Sequence, residues 1–145
     1  MSVAEFVSQD VGIELLPSEE RPTVLIAEDQ PKMLQRLVAQ FLELGIIPQV
    51  ATSGPEAIRI AGQLHPDLVV LDGLLPEMHG FEIARFSRHL DRDYRPRIAI
   101  VTGVDKALRY KNEAKIQFGV DDYLVKPVST EQLAGVVNRA RKVSQ

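Results

Sequence analysis

Residues 68–80 read LVVLDGLLPEMHG, a run of aliphatic side chains that ends at an acidic residue. The run Leu68–Leu71 is short and continuous, which is typical of a strand covered on both faces, as in a parallel sheet. Four other segments have the same apolar character and are predicted strands: Thr23–Ala27, Val50–Ala51, Ile98–Val101 and Tyr123–Val125. The sequence therefore predicts five short strands in a buried sheet.

The segment after the first strand has the pattern of an amphipathic helix. Its apolar residues recur at intervals of three and four positions from Leu34 to Leu42. Pro31 suits the first turn, where a backbone N–H has no partner within the helix, and Gly45 suits the position just beyond the last turn. We therefore expect a helix between these two residues.

Capping motifs mark two further helices. Ser53–Glu56 (SGPE) and Ser129–Gln132 (STEQ) place a serine three residues before a glutamate or glutamine, the arrangement of a capping box. The helix that begins at the first motif is expected to end near Leu64. Two more helices are predicted over Gly80 to about Leu90 and over Asp105–Phe118.

Strands and helices thus alternate five times along the chain. This order predicts an α/β fold, a doubly wound (βα)5 three-layer sandwich with a parallel five-stranded sheet and helices on both faces. In such folds ligands bind beyond the carboxyl ends of the strands. Residues that directly follow the strands are therefore the candidates for function.

Composition and charge narrow the classes of function. The 145 residues carry a formal net charge of -3, so the overall charge does not favour direct binding to nucleic acid or to an anionic membrane. No stretch approaches the roughly 18 apolar residues of a spanning helix, and the N-terminus lacks the features of a secretory signal. The chain has no cysteine, which excludes disulfides and thiolate metal sites. We expect a cytoplasmic protein.

The first part of the chain differs from the rest. Residues 1–22 are rich in acidic and small residues, and they end in PSEERP, a linker-like composition. We predict a flexible N-terminal extension over residues 1–22 and a domain over residues 23–145. An alternative is a short docking segment built on Ile13, Leu15 and Leu16.

Five polar residues follow the predicted strands: Glu28, Asp29, Asp72, Thr102 and Lys126. Each alone has an ordinary explanation as a helix cap, a turn residue or a solvated charge. Together they meet at one edge of the sheet, where three carboxylates repel one another unless a cation lies among them. Mg²⁺ prefers oxygen ligands of this kind, and the lysine supplies a fixed positive charge for an incoming anion. The sequence therefore predicts a Mg²⁺ site at the three acids with Lys126 beside it.

Four motifs lie along the chain: Glu28-Asp29, Leu71–Gly80 (LDGLLPEMHG), Thr102-Gly103 and Asp121–Pro127 (DDYLVKP). In this order and at this spacing they make the chain resemble the receiver domain of two-component response regulators, from Thr23 to about Lys142. The resemblance implies a flavodoxin-like strand order, 2-1-3-4-5. It also implies a cis peptide bond between Lys126 and Pro127, since proline is the residue that commonly accepts one.

The same resemblance implies roles for individual residues. The implied metal ligands are Glu28, Asp29, Asp72 and the backbone carbonyl of Leu74. The residues implied to take, contact or respond to a phosphoryl group are Asp72 as the phosphoacceptor, Thr102, Lys126 and Tyr123. Tyr123 is expected to turn inward on activation as Thr102 moves toward the phosphoryl oxygens.

The predicted function is a phosphoryl-accepting signalling switch that catalyses at most its own phosphorylation and dephosphorylation. Its phosphoryl donor would be a phosphohistidine on a sensor histidine kinase or a phosphotransfer protein. A downstream protein or output domain would bind the face formed by the fourth helix, the fifth strand and the fifth helix. The same face is a candidate for homodimer formation on activation.

Two alternative functions are left open by the residues. One is a receiver-like binding module that acts without phosphorylation. The other is an enzyme, either a phosphatase that works through an aspartyl phosphate or a nucleotide-binding protein. Against the enzyme, Leu74 stands where such a phosphatase needs a second acid two residues after Asp72, and the sequence has no glycine-rich phosphate-binding loop.

Overall fold

A computed structural model describes residues 14–17, 21–75, 77–90, 93–103 and 119–144 of the chain. Its strands are β1 (Val24–Ala27), β2 (Gln49–Ala51), β3 (Leu68–Asp72), β4 (Leu74–Leu75), β5 (Met78–His79), β6 (Arg97–Thr102) and β7 (Asp122–Val125). The helices in these parts of the chain are α1 (Pro31–Glu43), α2 (Gly54–Leu64), α3 (Gly80–Ser87) and α4 (Thr130–Ser144).

Five of the strands form one parallel sheet in the order β2-β1-β3-β6-β7. Once the short β4–β5 hairpin is set aside, this is the order 2-1-3-4-5, and the predicted fold is confirmed. The register places Ala27 opposite Leu71 and Asp72 opposite Val101, so neighbouring strands end at nearly the same level. The residues that follow β1, β3 and β6 therefore meet at one edge.

The sheet separates two apolar layers. In β1, Val24 and Ile26 face the layer covered by α1 and α4, whereas Leu25 and Ala27 face the layer that contains α2 and α3. All four side chains are buried, since alternate residues of a strand point to opposite faces. The nearly continuous apolar runs in the sequence reflect this burial on both faces.

Local capping signals account for the starts of the helices. The Oγ of Ser53 accepts a hydrogen bond from the N–H of Glu56 at 3.3 Å. The box at α4 is reciprocal, because Ser129 Oγ accepts the N–H of Gln132 at 3.1 Å and Gln132 Oε1 accepts the N–H of Ser129 at 2.9 Å. Pro31 is the first residue of α1, as predicted.

No helix in the described segments is long and apolar enough to cross a membrane.

The region after β3 differs from the prediction in two respects. The antiparallel β4–β5 hairpin was not predicted, because strands of two residues are too short to show a period. Helix α3 ends at Ser87 rather than near Leu90, since the N–H of His89 bonds the carbonyl of Phe86, three residues back, and the last turn tightens. The helix predicted over Asp105–Phe118 lies outside the described residues.

Part of the N-terminal extension lies against the domain. The N–H of Leu16 donates to the carbonyl of Gly45 at 3.0 Å, and the Leu16 side chain packs on the core beneath α1 and α4. Gly45 has φ +80, and a Cβ at this position would lie 2.8 Å from the nitrogen of Leu16. These contacts place Leu16, one of the residues of the docking alternative, against the domain. Ile13 lies outside the described residues, and the domain limits stay a prediction.

Two aspartates of the DDYLVKP motif are held by arginines. Asp121 pairs with Arg88 of the α3 end at 2.6 Å. Asp122 is buried and pairs with Arg97 at 2.7 Å and with Arg139 at 2.8 Å. These pairs fix the beginning of β7 to β6 and α4, whereas Lys126, the candidate site residue of the motif, follows the end of β7.

Two glycines of α2 should respond oppositely to alanine. A Cβ on Gly54 would lie 2.7 Å from the Cβ of Met78, whereas a Cβ on Gly62 would meet no atom within 4 Å. Gly54→Ala should lower the free energy of unfolding by about 1–3 kcal/mol through overpacking. Gly62→Ala should raise it by about 0.5–1 kcal/mol, because alanine is the better helix former. Denaturant titration measures both, and changes of the same sign and size would contradict the packing of the hairpin on α2.

Candidate functional site

The structure brings the three predicted acids together. Glu28 and Asp29 directly follow β1, Asp72 ends the adjacent β3, and one carboxylate oxygen of each lies within 4.8 Å of the others. Glu28 is 1% exposed and Asp72 is 9% exposed, while Asp29 is the most open of the three. The parallel register of β1 and β3 is the cause, since it ends both strands at the same edge.

The ammonium group of Lys126 lies between two of these acids. Its Nζ is 3.2 Å from Glu28 Oε1 and 3.9 Å from Asp72 Oδ1. The peptide bond from Lys126 to Pro127 is cis, as predicted. The backbone N–H of Lys126 also donates to the carbonyl of Thr102 at 2.7 Å, which ties the lysine to the end of β6.

The carboxylate of Glu28 is destabilised in its ionised form. Burial is the main cause that raises its pKa to about 8, and a hydrogen bond and charge repulsion from Asp72 act in the same direction. Lys126 opposes the rise. The buried Oε2 of Glu28 accepts no hydrogen bond from the described residues. An oxygen without a donor beside a second carboxylate fits a hard divalent cation, so this donor set suits Mg²⁺.

The two predicted switch residues lie on adjacent strands. Thr102 ends β6 one residue after Val101, the register partner of Asp72, and it pairs with Val125 of β7. Tyr123 is partly buried in β7 and packs against the apolar layer that contains α2 and α3. The structure thus places Thr102 at the edge with the acids and Tyr123 deeper in the sheet.

The predicted carbonyl ligand sits in the hairpin. Leu74 is the first residue of β4 and pairs with His79 of β5. The hairpin turn includes Glu77 with φ 69, a conformation that non-glycine residues seldom adopt. The hairpin therefore holds the backbone of Leu74 just beyond Asp72, and its role as a ligand stays a prediction.

Sequence reasoning missed a residue that fixes the loop of Lys126. Gln40 of α1 is buried, and its Nε2 donates to the carbonyl of Val128 at 2.7 Å. Val128 is fully buried two residues after Lys126. The only sign in the sequence is that Gln40, an amide, stands next to Phe41 on the apolar face of α1. Its partner Val128 lies 88 positions away and cannot be identified from the neighbouring sequence.

With this geometry in view, comparison with known proteins identifies the family. The family model of the response regulator receiver domain matches residues 24–138. The chain is 34% identical over 122 residues to the positive alginate biosynthesis regulatory protein of Pseudomonas aeruginosa, covering 82% of this chain and 47% of that protein. It is 37% identical over 120 residues to hybrid signal transduction histidine kinase D of Dictyostelium discoideum, covering 81% and 8%. The chain belongs to the response regulator receiver domain family, and it spans half or less of the length of these relatives.

Solved structures agree with the assignment. The receiver domain of the Francisella response regulator 1452 is similar with a TM-score of 0.75 and 31% identity, over 86% of this chain and 99% of that one. The receiver domain of sensor histidine kinase PA1611 of Pseudomonas aeruginosa has a TM-score of 0.70 and 26% identity, over 83% and 98%. That structure has a magnesium ion coordinated in its active site cleft.

Removing the amide of Gln40 should weaken the fold near Lys126. Gln40→Leu leaves the carbonyl of Val128 buried without its donor, which should lower the free energy of unfolding by about 1–3 kcal/mol. The control is Gln63→Leu in α2, where the glutamine is exposed and accepts a 3.3 Å bond from Arg59, and the change should stay within about 0.5 kcal/mol. Urea denaturation measures both; a loss at position 40 no larger than at position 63 would contradict this role.

Proposed function

We propose that the protein is a signalling switch that accepts a phosphoryl group on Asp72 when Mg²⁺ is bound. The single observation that carries this proposal is the cluster of Glu28, Asp29 and Asp72 within 4.8 Å, with Lys126 Nζ 3.9 Å from Asp72 Oδ1. The acids and the backbone carbonyl of Leu74 would hold the metal. Membership of a family of two-component receiver domains supports the same function.

The chemistry follows from the groups at the strand ends. A carboxylate oxygen of Asp72 attacks phosphorus in line with the leaving group, so that a P–O bond to the aspartate forms as the bond to the donor breaks. Lys126 neutralises negative charge on the phosphoryl oxygens. When bound, Mg²⁺ would supply further neutralisation, which phosphoryl transfer needs more than covalent assistance.

The proposed conformational response depends on β6, the strand beside β3, which carries Asp72. Phosphorylation replaces one negative charge on Asp72 by about two and adds acceptor oxygens. The hydroxyl of Thr102 can donate to these oxygens from the end of β6. Its movement toward Asp72 would open space for the ring of Tyr123, which already packs against the core. The response therefore rests on side chains of two adjacent strands.

The proposed partners follow from the same assignment. The donor is a sensor histidine kinase or a phosphotransfer protein, and the site is cytoplasmic with no direct contact to nucleic acid or membrane. The output is a downstream protein or domain that binds the face of the helix predicted over Asp105–Phe118, β7 and α4. Self-association through this face on activation is part of the proposal. A receiver-like module that binds without phosphorylation is the alternative.

Asp72 should be the only residue that takes the phosphoryl group. Incubation with acetyl phosphate and Mg²⁺ should add the mass of one phosphoryl group to the wild type, and Asp72→Asn should abolish the addition, because the amide is not a nucleophile. Asp93→Asn, a substitution of an exposed aspartate, is the control and should leave labelling intact. Intact-protein mass spectrometry distinguishes the outcomes. Labelling of Asp72→Asn would refute the site, and a wild type that takes no phosphoryl group would favour the binding-module alternative.

Mg²⁺ binding should depend on Glu28 and Asp29, the two acids that follow β1. In Asp29→Asn the affinity should fall by about tenfold, equivalent to about 1.4 kcal/mol, because a charged ligand becomes neutral. With free Mg²⁺ at about 100 times Kd, the wild type should gain about 2.7 kcal/mol in free energy of unfolding. Calorimetry and denaturation measure these quantities without phosphorylation. Glu82→Gln, an exposed acid of α3, should bind Mg²⁺ as the wild type does; equal affinity in Asp29→Asn would refute the assignment.

A further inference from the structure

Gly73 is the buried residue that follows the phosphoacceptor. Its N–H donates to the carbonyl of Val101 at 3.1 Å, so the β3–β6 pairing continues one step past Asp72. On the other side of β6, the carbonyl of Thr102 accepts the N–H of Lys126 at 2.7 Å. The backbone at the end of β6 is therefore held from both neighbouring strands.

The side chain of Thr102 fills the space that a side chain at position 73 would occupy. A Cβ on Gly73 would lie 3.1 Å from Oγ1 and 3.3 Å from Cβ of Thr102, closer than ordinary van der Waals contact. Its distance to Ile100 Cγ2 would be an ordinary 3.7 Å. Among the described residues the left-handed glycines are Gly45 and Gly119, so at position 73 the backbone itself accepts an L residue. The conflict is with Thr102.

We propose that Gly73 is a positioning residue for the hydroxyl of Thr102, an inference that rests on the function proposed above. The carbonyl of Thr102 is held by Lys126, and the carbonyl of the preceding Val101 is held by Gly73. An added methyl at position 73 therefore displaces the threonine side chain rather than the strand. The displacement needed to restore ordinary contact is a few tenths of an ångström. Because Gly73 has no side chain, the hydroxyl of Thr102 can keep its position beside Asp72.

A purely structural role for Gly73 makes a different prediction. If the glycine only filled a tight place in the core, alanine would lower stability and leave the binding of a phosphoryl group unchanged. If it positions the hydroxyl, alanine weakens phosphoryl-group binding, and the effect disappears once the hydroxyl is removed. Apart from its chain neighbours, the atoms nearest to the methyl belong to Thr102 and Ile100, so Mg²⁺ affinity is expected to stay the same under either role.

The experiment is a double-substitution cycle with four proteins: wild type, Gly73→Ala, Thr102→Ala and the double variant. Beryllofluoride, which stands in for the phosphoryl group, is titrated in the presence of saturating Mg²⁺, and Mg²⁺ affinity is measured separately. Gly73→Ala should weaken beryllofluoride binding by about three- to tenfold, since small misplacements of a bonding group have effects of this order. In the Thr102→Ala background the same substitution should change binding by less than about twofold, the mark of two residues that act through one contact.

Two controls separate the possible outcomes. Gly62→Ala in α2, where a Cβ meets no atom within 4 Å, should bind beryllofluoride as the wild type does. Serine lacks the methyl group of threonine and rotates more freely, so Thr102→Ser should restore part of the affinity lost in Gly73→Ala. An equal loss in both Thr102 backgrounds, or no loss in the wild-type background, would overturn the inference.

The inference and the proposed function fail in different ways. If the wild type binds no beryllofluoride, the proposed function fails, and the positioning role is then read from the NMR signal of the Thr102 methyl. That signal should shift in Gly73→Ala and stay in place in Gly62→Ala; an unchanged signal in Gly73→Ala overturns the inference. If Gly73→Ala does not fold, the double variant without the hydroxyl should fold, and failure of both also overturns it.

Discussion

The carboxylate of Glu28 lies buried against Asp72 at the edge of the sheet, and the arrangement of the site follows from the need to compensate this charge. Two ionised acids in a poorly solvated place repel each other, and burial adds to the cost of each charge. The ammonium group of Lys126, 3.2 Å from Glu28, compensates part of this charge, but Oε2 of Glu28 has no donor among the described residues. The proposed Mg²⁺ would compensate the remaining charge, and Lys126 can do its part only if the loop that presents it is held firmly.

The backbone at this edge provides that firmness. Hydrogen bonds link Gly73 to β6 and Lys126 to the end of the same strand, so three adjacent strand ends form one continuous ladder. Gln40 of α1 holds the loop after Lys126 through a hydrogen bond to the carbonyl of Val128. With the main chain fixed in this way, a change of charge on Asp72 can be answered most easily by rotation of side chains. Thr102 and Tyr123, on the adjacent strands β6 and β7, are the side chains that we expect to rotate.

Much of this could be predicted from the sequence because the signals are local. Apolar runs reveal buried strands, capping boxes reveal helix starts, and strand order then brings the terminal acids together. The contacts that were missed join distant parts of the chain. Gln40 has no local sign of its partner, and the need for glycine at position 73 appears only when Thr102 is seen beside it. The β4–β5 hairpin was missed for another reason, since two residues per strand are too few to show a pattern.

Acidic residues have different roles at the two edges of the sheet, and charge balance explains the difference. Asp122 is buried but faces two guanidinium groups, at 2.7 Å and 2.8 Å, so its charge is fully compensated and its role is structural. In the described part of the chain the three acids at the other edge face one ammonium group, and when all are ionised two negative charges exceed the positive charge. A divalent cation would cancel that excess. A phosphoryl group on Asp72 would then restore about one unit of negative charge beside Lys126 and Thr102. The added charge and acceptor oxygens would then favour a hydrogen bond from the hydroxyl of Thr102, as the proposed switch requires.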